Sequence, residues 1–289
     1  MALADRLTAQ HPSSTRSSDE PQRVAIVTGA ERGIGAGLVA AFRDLGYSVV
    51  GTSLSMPASD DSDFLGVTGD ITQAETAQRV VERARDVFGR IDSLINNAGI
   101  YIGKAFTDYT LDDYAAITAV NLTGFFHITQ RVIQQMVAQG SGHVVSISTS
   151  LVDHADSTRP SALASLTKGG LVAVTRSLAI EYASRGVRVN AVSLGVIKTP
   201  LVEPSSYASN AVVHPLGRMG EIADVVDGIL YLERDWRRSR SRGRTRPRRA
   251  GRLAGHPIPL GRRNADPRGV PAPADSRDRN RCRVVRQPI

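Results

Sequence analysis

A single cysteine in 289 residues, Cys282, leaves no intrachain disulfide to be made, so the disulfide frameworks of small exported domains are excluded. Long apolar runs are missing as well: none approaches the roughly 18–20 residues that span a bilayer. Residues 1–20 lack the apolar centre of a secretion signal and are rich in Ser, Thr and charge, which reads as a flexible arm. These absences leave a cytoplasmic protein with no membrane partner as the expectation. No stretch of the chain repeats another.

Lysine is absent from the C-terminal stretch and acid is scarce there. Residues 234–289 hold 18 of the 36 basic residues, all Arg, and 4 of the 28 acids. That stretch is +14, while residues 1–233 carry 18 basic and 24 acidic groups, or −6, so the overall +8 describes neither part. A mildly acidic body gives no reason to expect nucleic acid. The Arg-rich part has one aromatic, Trp236, and no helical or strand periodicity. It is expected to be a disordered tail whose hold on nucleic acid is non-specific. Its Arg, Pro, Gly and Ala are what GC-rich DNA encodes out of frame. The abrupt change at Glu233 leads us to expect that a frame change has replaced a native C-terminus.

What is present lies between Pro21 and Glu233, where short apolar runs alternate with amphipathic stretches. The runs Val24–Val27, Ser48–Gly51, Ile91–Ile95, His143–Ile147 and Val187–Val192 predict strands. Helices are predicted over Ala74–Phe88, Leu111–Ala138 and Ser161–Ser184, the last burying Leu163, Leu166, Leu171, Val174 and Leu178 on one face. Thr72, with Glu75 three residues on, predicts a capping box opening the first of these. Strands alternating with helices of this length predict an α/β fold, a parallel sheet covered on both faces. The domain expectation is an arm over 1–20, one folded domain over 21–233 and a tail over 234–289.

The first strand runs into Thr28-Gly29-Ala30-Glu31-Arg32-Gly33-Ile34-Gly35 and then the amphipathic stretch Leu38–Leu45. A buried strand, a glycine-rich turn and a helix form the geometry that binds a dinucleotide pyrophosphate. Gly29 permits the turn, Gly33 lets backbone approach the phosphates, and Gly35 lets the helix pack on the strand. An acid ending the second strand would bind the ribose 2′-hydroxyl of NAD and repel a 2′-phosphate; the residue there is the uncharged Ser53. Arg32 offers a partner for the extra phosphate, with Glu31 arguing the other way, so NADP is preferred over NAD.

Three further motifs follow in order: Asn96-Asn97-Ala98-Gly99 after the strand Ile91–Ile95, Asn121 within Val120-Asn121-Leu122-Thr123-Gly124, and Lys168 on the helix after Ser148-Thr149-Ser150. Together with the glycine turn they resemble the short-chain dehydrogenase/reductase family over Arg23–Leu232. The resemblance implies a single-domain Rossmann fold, a doubly wound parallel sheet binding NADP(H) or NAD(H). It also implies hydride transfer between the nicotinamide and a carbonyl or alcohol carbon of a small molecule. It places Asn121, a hydroxyl of Thr149 or Ser150, and Lys168 in an Asn-Ser-Tyr-Lys site, with Lys168 also holding the nicotinamide ribose. Asn97, Ala98 and Gly99 are implied along the adenosine side, Asp70 and Ile71 at the adenine, and Gly195, Ile197 and Thr199 at the nicotinamide carboxamide. No metal is implied.

The chain departs from the family at its proton donor. The family's tyrosine stands four residues before the lysine; here that position is Ala164, and no tyrosine occurs between Tyr114 and Tyr182. A positioned proton donor contributes ~10²–10⁴-fold, so a weakened or unusual proton-transfer step is expected, served by water, Ser165 or a substrate group. An activated C=C acceptor depends less on a strong acid than a ketone does. The rival reading is a non-catalytic dinucleotide-binding sensor or scaffold. Leu194-Gly195 replaces the family's Pro-Gly, loosening that turn. The segment Leu201–Val213 is expected over the substrate, with Tyr207 and His214 nearby given no role. The family's last strand has no counterpart after Glu233. The sheet edge is therefore expected to be uncovered and the family-type homo-oligomer is put in doubt.

Overall fold

β-Branched and glycine-punctuated runs form six parallel strands in the computed structural model, which describes residues 21–241 and 283–285. They are β1 (Val24–Thr28), β2 (Ser48–Ser53), β3 (Phe64–Thr68), β4 (Ser93–Asn96), β5 (Gly142–Thr149) and β6 (Val187–Leu194). A seventh, antiparallel strand, β7 (Arg283–Val285), pairs with β6, and the sheet order is β3-β2-β1-β4-β5-β6-β7. The order reverses between β1 and β4, so the C-terminal ends of those strands open onto the crevice where doubly wound sheets take their ligands. β1 is buried throughout, whereas β3 buries only Val67, which is why β3 carries so weak an apolar signal.

The helices are α1 (Gly33–Asp44), α2 (Ala74–Phe88), α3 (Leu111–Thr118), α4 (Phe125–Gln139), α5 (Ala162–Tyr182), α6 (Tyr207–Val212) and α7 (Ile222–Ser241). Phe42 of α1 and Val225 and Ile229 of α7 pack with Val27, Val49 and Val192 on one sheet face. Val80 of α2, Ile128 and Val132 of α4, and Ala179 of α5 pack with Val24, Ile26 and Val144 on the other. The α/β sheet with two covered faces is as expected.

Four expectations need correcting. The single helix over Leu111–Ala138 is two helices, separated by a π-helical turn over Ala119–Gly124 that buries Asn121. The N-cap of α2 is Gln73, without a side-chain cap, because Asp70 Oδ1 accepts from the Thr72 amide and the Asp70 carbonyl from the Gln73 amide. That Asx turn moves the helix start past Thr72; a capping box forms instead between Thr110 and Asp113 at α3. Leu166 faces outward at 59% exposure, since the buried stripe of α5 runs through Leu163, Ala164, Thr167 and Leu171.

The fourth concerns the tail. α7 continues to Ser241, eight residues past Glu233. The β6 edge expected to be bare is paired by Arg283–Val285. Residues 242–282 and 286–289 and the arm 1–20 lie outside the described residues. No helix among the described residues is long and apolar enough to cross a membrane.

Candidate active site

β1 ends at Thr28, and Gly29 turns the chain with φ +65°, a left-handed conformation that a side chain strongly disfavours. Gly33 does the same at φ +58° as α1 begins. A methyl at Gly35 would overlap the Gly29 carbonyl oxygen, so the first turn of α1 lies directly on the glycine turn. The N-cap, Arg32, makes no side-chain cap, and no acid occupies the first turn. The leading amides of α1, Ile34 among them, and the positive end of its dipole are therefore available to an anion.

The second motif braces the first. Asn97 Nδ2 donates to the carbonyls of Thr28 (2.9 Å) and Gly29 (3.1 Å), while Thr28 Oγ1 accepts from the amides of Asn97 (3.1 Å) and Ala98 (3.0 Å). The side-chain amide of Asn97 is thus committed to holding the glycine turn. Thr28 is a supporting residue that the sequence reading missed.

Asn121, buried by the π turn, hydrogen-bonds both backbone groups of Ile100: the Ile100 amide donates to Oδ1 (2.9 Å) and Nδ2 donates to the Ile100 carbonyl (3.0 Å). Nδ2 also reaches Thr167 Oγ1 at 3.1 Å, tying the turn to α5. One residue on, Lys168 Nζ donates to the Ile147 carbonyl at 2.8 Å. A methyl on Gly99 would lie 2.8 Å from Lys168 Nζ and 3.2 Å from Asn121 Oδ1, so the bare Gly99 lets these two side chains converge. Burial pulls the Lys168 ammonium down to about 8.

Of the two hydroxyl candidates, Thr149 Oγ1 accepts from the Leu151 amide at 3.3 Å, which leaves its own proton to donate. Ser150 opens the short 3₁₀ turn that follows. Ser165 Oγ donates to the Leu151 carbonyl at 3.2 Å, so its proton is already engaged. Ala164 is 3% exposed, in an apolar cluster with Ile117 and Leu163 against which Ile102 and Tyr109 pack.

Ser53 Oγ donates to Glu31 Oε2 at 3.2 Å, placing that carboxylate at the end of β2, with exposed Arg32 beside it in sequence. Asp70 is an exposed Asx-turn residue, and Ile71 packs into the core beside Gly124. The loop after β6 carries Gly195, Ile197 and Thr199. Ile197 bridges Gly220, and Thr199 faces Gly33 with 3.6 Å between its Cβ and a methyl placed there, so the loop stands across from the glycine turn. A cleft of about 370 Å³ opens between this loop and α7, walled by Leu194, Gly195, Ile197, His214, Leu216 and Arg218 among others. Among the described residues no group of His, Cys, Asp or Glu is arranged to hold a metal.

Residues 29–240 match a protein family described as enoyl-(acyl carrier protein) reductase. The chain is 33% identical over 225 residues to the 3-oxoacyl-[acyl-carrier-protein] reductase FabG of Thermotoga maritima, covering 74% of this chain and 91% of that relative. The chain belongs to the short-chain dehydrogenase/reductase family. Among solved members, ElxO with NADP bound superposes with a TM-score of 0.68 at 26% identity, covering 73% of this chain and 91% of its own. The Brucella melitensis 3-ketoacyl-(acyl-carrier-protein) reductase complexed with NADH gives 0.67 at 27% identity, covering 73% and 90%. This short-chain dehydrogenase/reductase is accordingly an oxidoreductase by family, with Ala164 four residues before its lysine.

Proposed function

We propose that the protein exchanges a hydride between NADP(H), or less readily NAD(H), and a carbonyl, alcohol or activated C=C of a small molecule, with Lys168 as the proton donor in place of a tyrosine. The convergence of Lys168 Nζ and Asn121 Oδ1 across Gly99 carries this reading. The crevice suits such a coenzyme: its two left-handed glycines and uncapped helix start fit a pyrophosphate, and NADP and NADH are bound by two of the superposed relatives. When bound, the nicotinamide supplies or accepts the hydride.

The remaining chemistry belongs to the side chains. In reduction, the carbonyl carbon gains the hydride and its oxygen takes a proton from Lys168 Nζ, leaving a neutral amine that recovers its proton from water. The Thr149 hydroxyl, with its oxygen already accepting from Leu151, donates to the same substrate oxygen. An ammonium held near 8 is well matched to general-acid work close to neutrality. Reduction needs the protonated form, so kcat/KM should be level below about 8 and fall tenfold per pH unit above it, with oxidation showing the opposite limb. A pH–rate profile of NADPH-dependent reduction checks this. Lys168→Arg should move the limb beyond the accessible range, and a profile flat to pH 10 in the unmodified protein defeats the assignment.

The coenzyme choice rests on Arg32 against Glu31. The guanidinium of Arg32 is exposed and suits bidentate pairing with a 2′-phosphate, while Ser53 draws the Glu31 carboxylate along the end of β2. Arg32→Ala should weaken NADPH about tenfold, the loss of a charge-assisted contact at an exposed site, and leave NADH within about twofold. Calorimetric titration of both coenzymes measures the two effects together.

The apolar packing around Ala164 favours a second reading, a dinucleotide-binding sensor or scaffold. Tight NADPH binding with no turnover across a panel of ketones, aldehydes and enones would select it.

A further inference from the structure

The loop that carries Ile197 and Thr199 lacks the proline expected before Gly195, yet it is not loose. On one side the Gly220 amide donates to the Val196 carbonyl (3.0 Å) and the Lys198 amide to the Gly220 carbonyl (2.8 Å). On the other, the Val196 amide donates to His214 Nε2 at 3.0 Å. An amide N–H only donates, so Nε2 carries a lone pair and the imidazole proton sits on Nδ1. That proton points at the Asn210 carbonyl of α6, 2.7 Å away. A methyl on Gly195 would lie 2.7 Å from the same Nε2, so the bare Gly195 is what admits the ring.

The chain of contacts continues beyond α6. Asn210 is 8% exposed; its Nδ2 donates to Ser206 Oγ at 2.9 Å, and its Oδ1 accepts from Arg159 at 2.7 Å. Arg159 stands three residues before α5, the helix that bears Ala164 and Lys168. One imidazole thus joins the loop after β6 to the segment over the site and, through Asn210 and Arg159, to the approach to α5.

The geometry points to His214 as a positioning residue: in its neutral Nδ1–H form it fixes the 195–199 loop for the nicotinamide end of the coenzyme and couples that loop to α6 above the substrate. This rests on the coenzyme reading above. The acceptor at Nε2 and the donor at Nδ1 have separate consequences, and two amide side chains distinguish them. Gln carries an acceptor near the reach of Nε2, whereas Asn carries a donor near the place of Nδ1 and nothing to receive the Val196 amide.

The test is the NADPH dissociation constant of the full chain, read by fluorescence, for the unmodified protein and for His214→Ala, His214→Gln and His214→Asn. Ala and Asn are expected to weaken binding roughly tenfold, the equivalent of about 1.4 kcal/mol, while Gln stays within about threefold. Trypsin cleavage at Lys198 and Arg218 without coenzyme should quicken in Ala and Asn and not in Gln. If Ala fails to fold, the Gln and Asn pair decides alone. Equal affinity of Gln and Asn, or of Ala and the unmodified protein, overturns the role of His214 and leaves the coenzyme reading standing. No binding by the unmodified protein overturns the coenzyme reading and this inference with it.

Discussion

Ala164→Tyr is expected to raise carbonyl reduction by ~10²–10⁴-fold, equivalent to roughly 3–5 kcal/mol of barrier. Residue 164 lies one helical turn before Lys168, so a side chain there leans along the same face of α5 as the ammonium. A phenol at that position meets a substrate oxygen with a neutral acid whose anion the Lys168 charge stabilises. The present arrangement asks Lys168 to bridge the same gap from a longer, more flexible stem. The ring has to displace Ile102 and Tyr109, which pack over the buried Ala164. Ala164→Phe therefore accompanies it, matching the bulk without the hydroxyl. Steady-state kcat/KM with NADPH and an aromatic ketone should rise in the Tyr variant alone. Equal rates in the Tyr and Phe variants would mean that position 164 takes no part in proton transfer.

Elements whose stability comes from continuous apolar burial were legible in the sequence. β1 and β5 read as apolar runs because nearly every side chain meets a helix on one face or the other. The glycine turn was legible for another reason: Gly29, Gly33 and Gly35 are demanded by backbone geometry, which leaves few alternatives. Local pattern says nothing of contacts between distant segments, and there the reading fell short. The side-chain amide of Asn97 braces Thr28 and Gly29, nearly 70 residues away in sequence, a contact no local pattern announces. The π turn at Asn121 has no signature within Leu111–Ala138; it exists because the buried amide must reach Ile100. His214 sat in a segment with no periodicity, and its role follows from an amide 18 residues earlier.

The largest expected loss of stability lies at the opposite end of the strands. Glu233, where the regular pattern stops, is 3% exposed and accepts from Tyr47 OH at 2.9 Å and from His143 Nδ1 at 2.7 Å. Asn190 Nδ2 stands 2.9 Å from His143 Nε2 and donates to it, so the imidazole is neutral, with its proton directed at the carboxylate. Burial opposes the Glu233 charge, but the His143 hydrogen bond, the Arg188 guanidinium and the Tyr47 hydroxyl outweigh it and hold the carboxyl below its ordinary range. Burial beside that anion pushes the Tyr47 phenol above its ordinary range.

Glu233→Ala leaves the His143 Nδ1–H and the Tyr47 hydroxyl buried without their acceptor, a loss of about 1–3 kcal/mol for each and roughly 4–24 °C in Tm for a domain of this size. The sign of the pH dependence follows from the depressed folded value. The native carboxylate stays ionised where the unfolded chain takes up a proton, so its contribution is whole above 4.5 and is lost as the pH falls through the depressed folded value. Glu233→Gln should accordingly show a shallower decline in Tm between pH 4.5 and 2.5 than the unmodified protein. Neither substitution touches the crevice, so NADPH affinity at 20 °C should be unchanged while the melting curves diverge. Superimposable acid limbs would show that the carboxylate does not anchor α7 beneath the sheet.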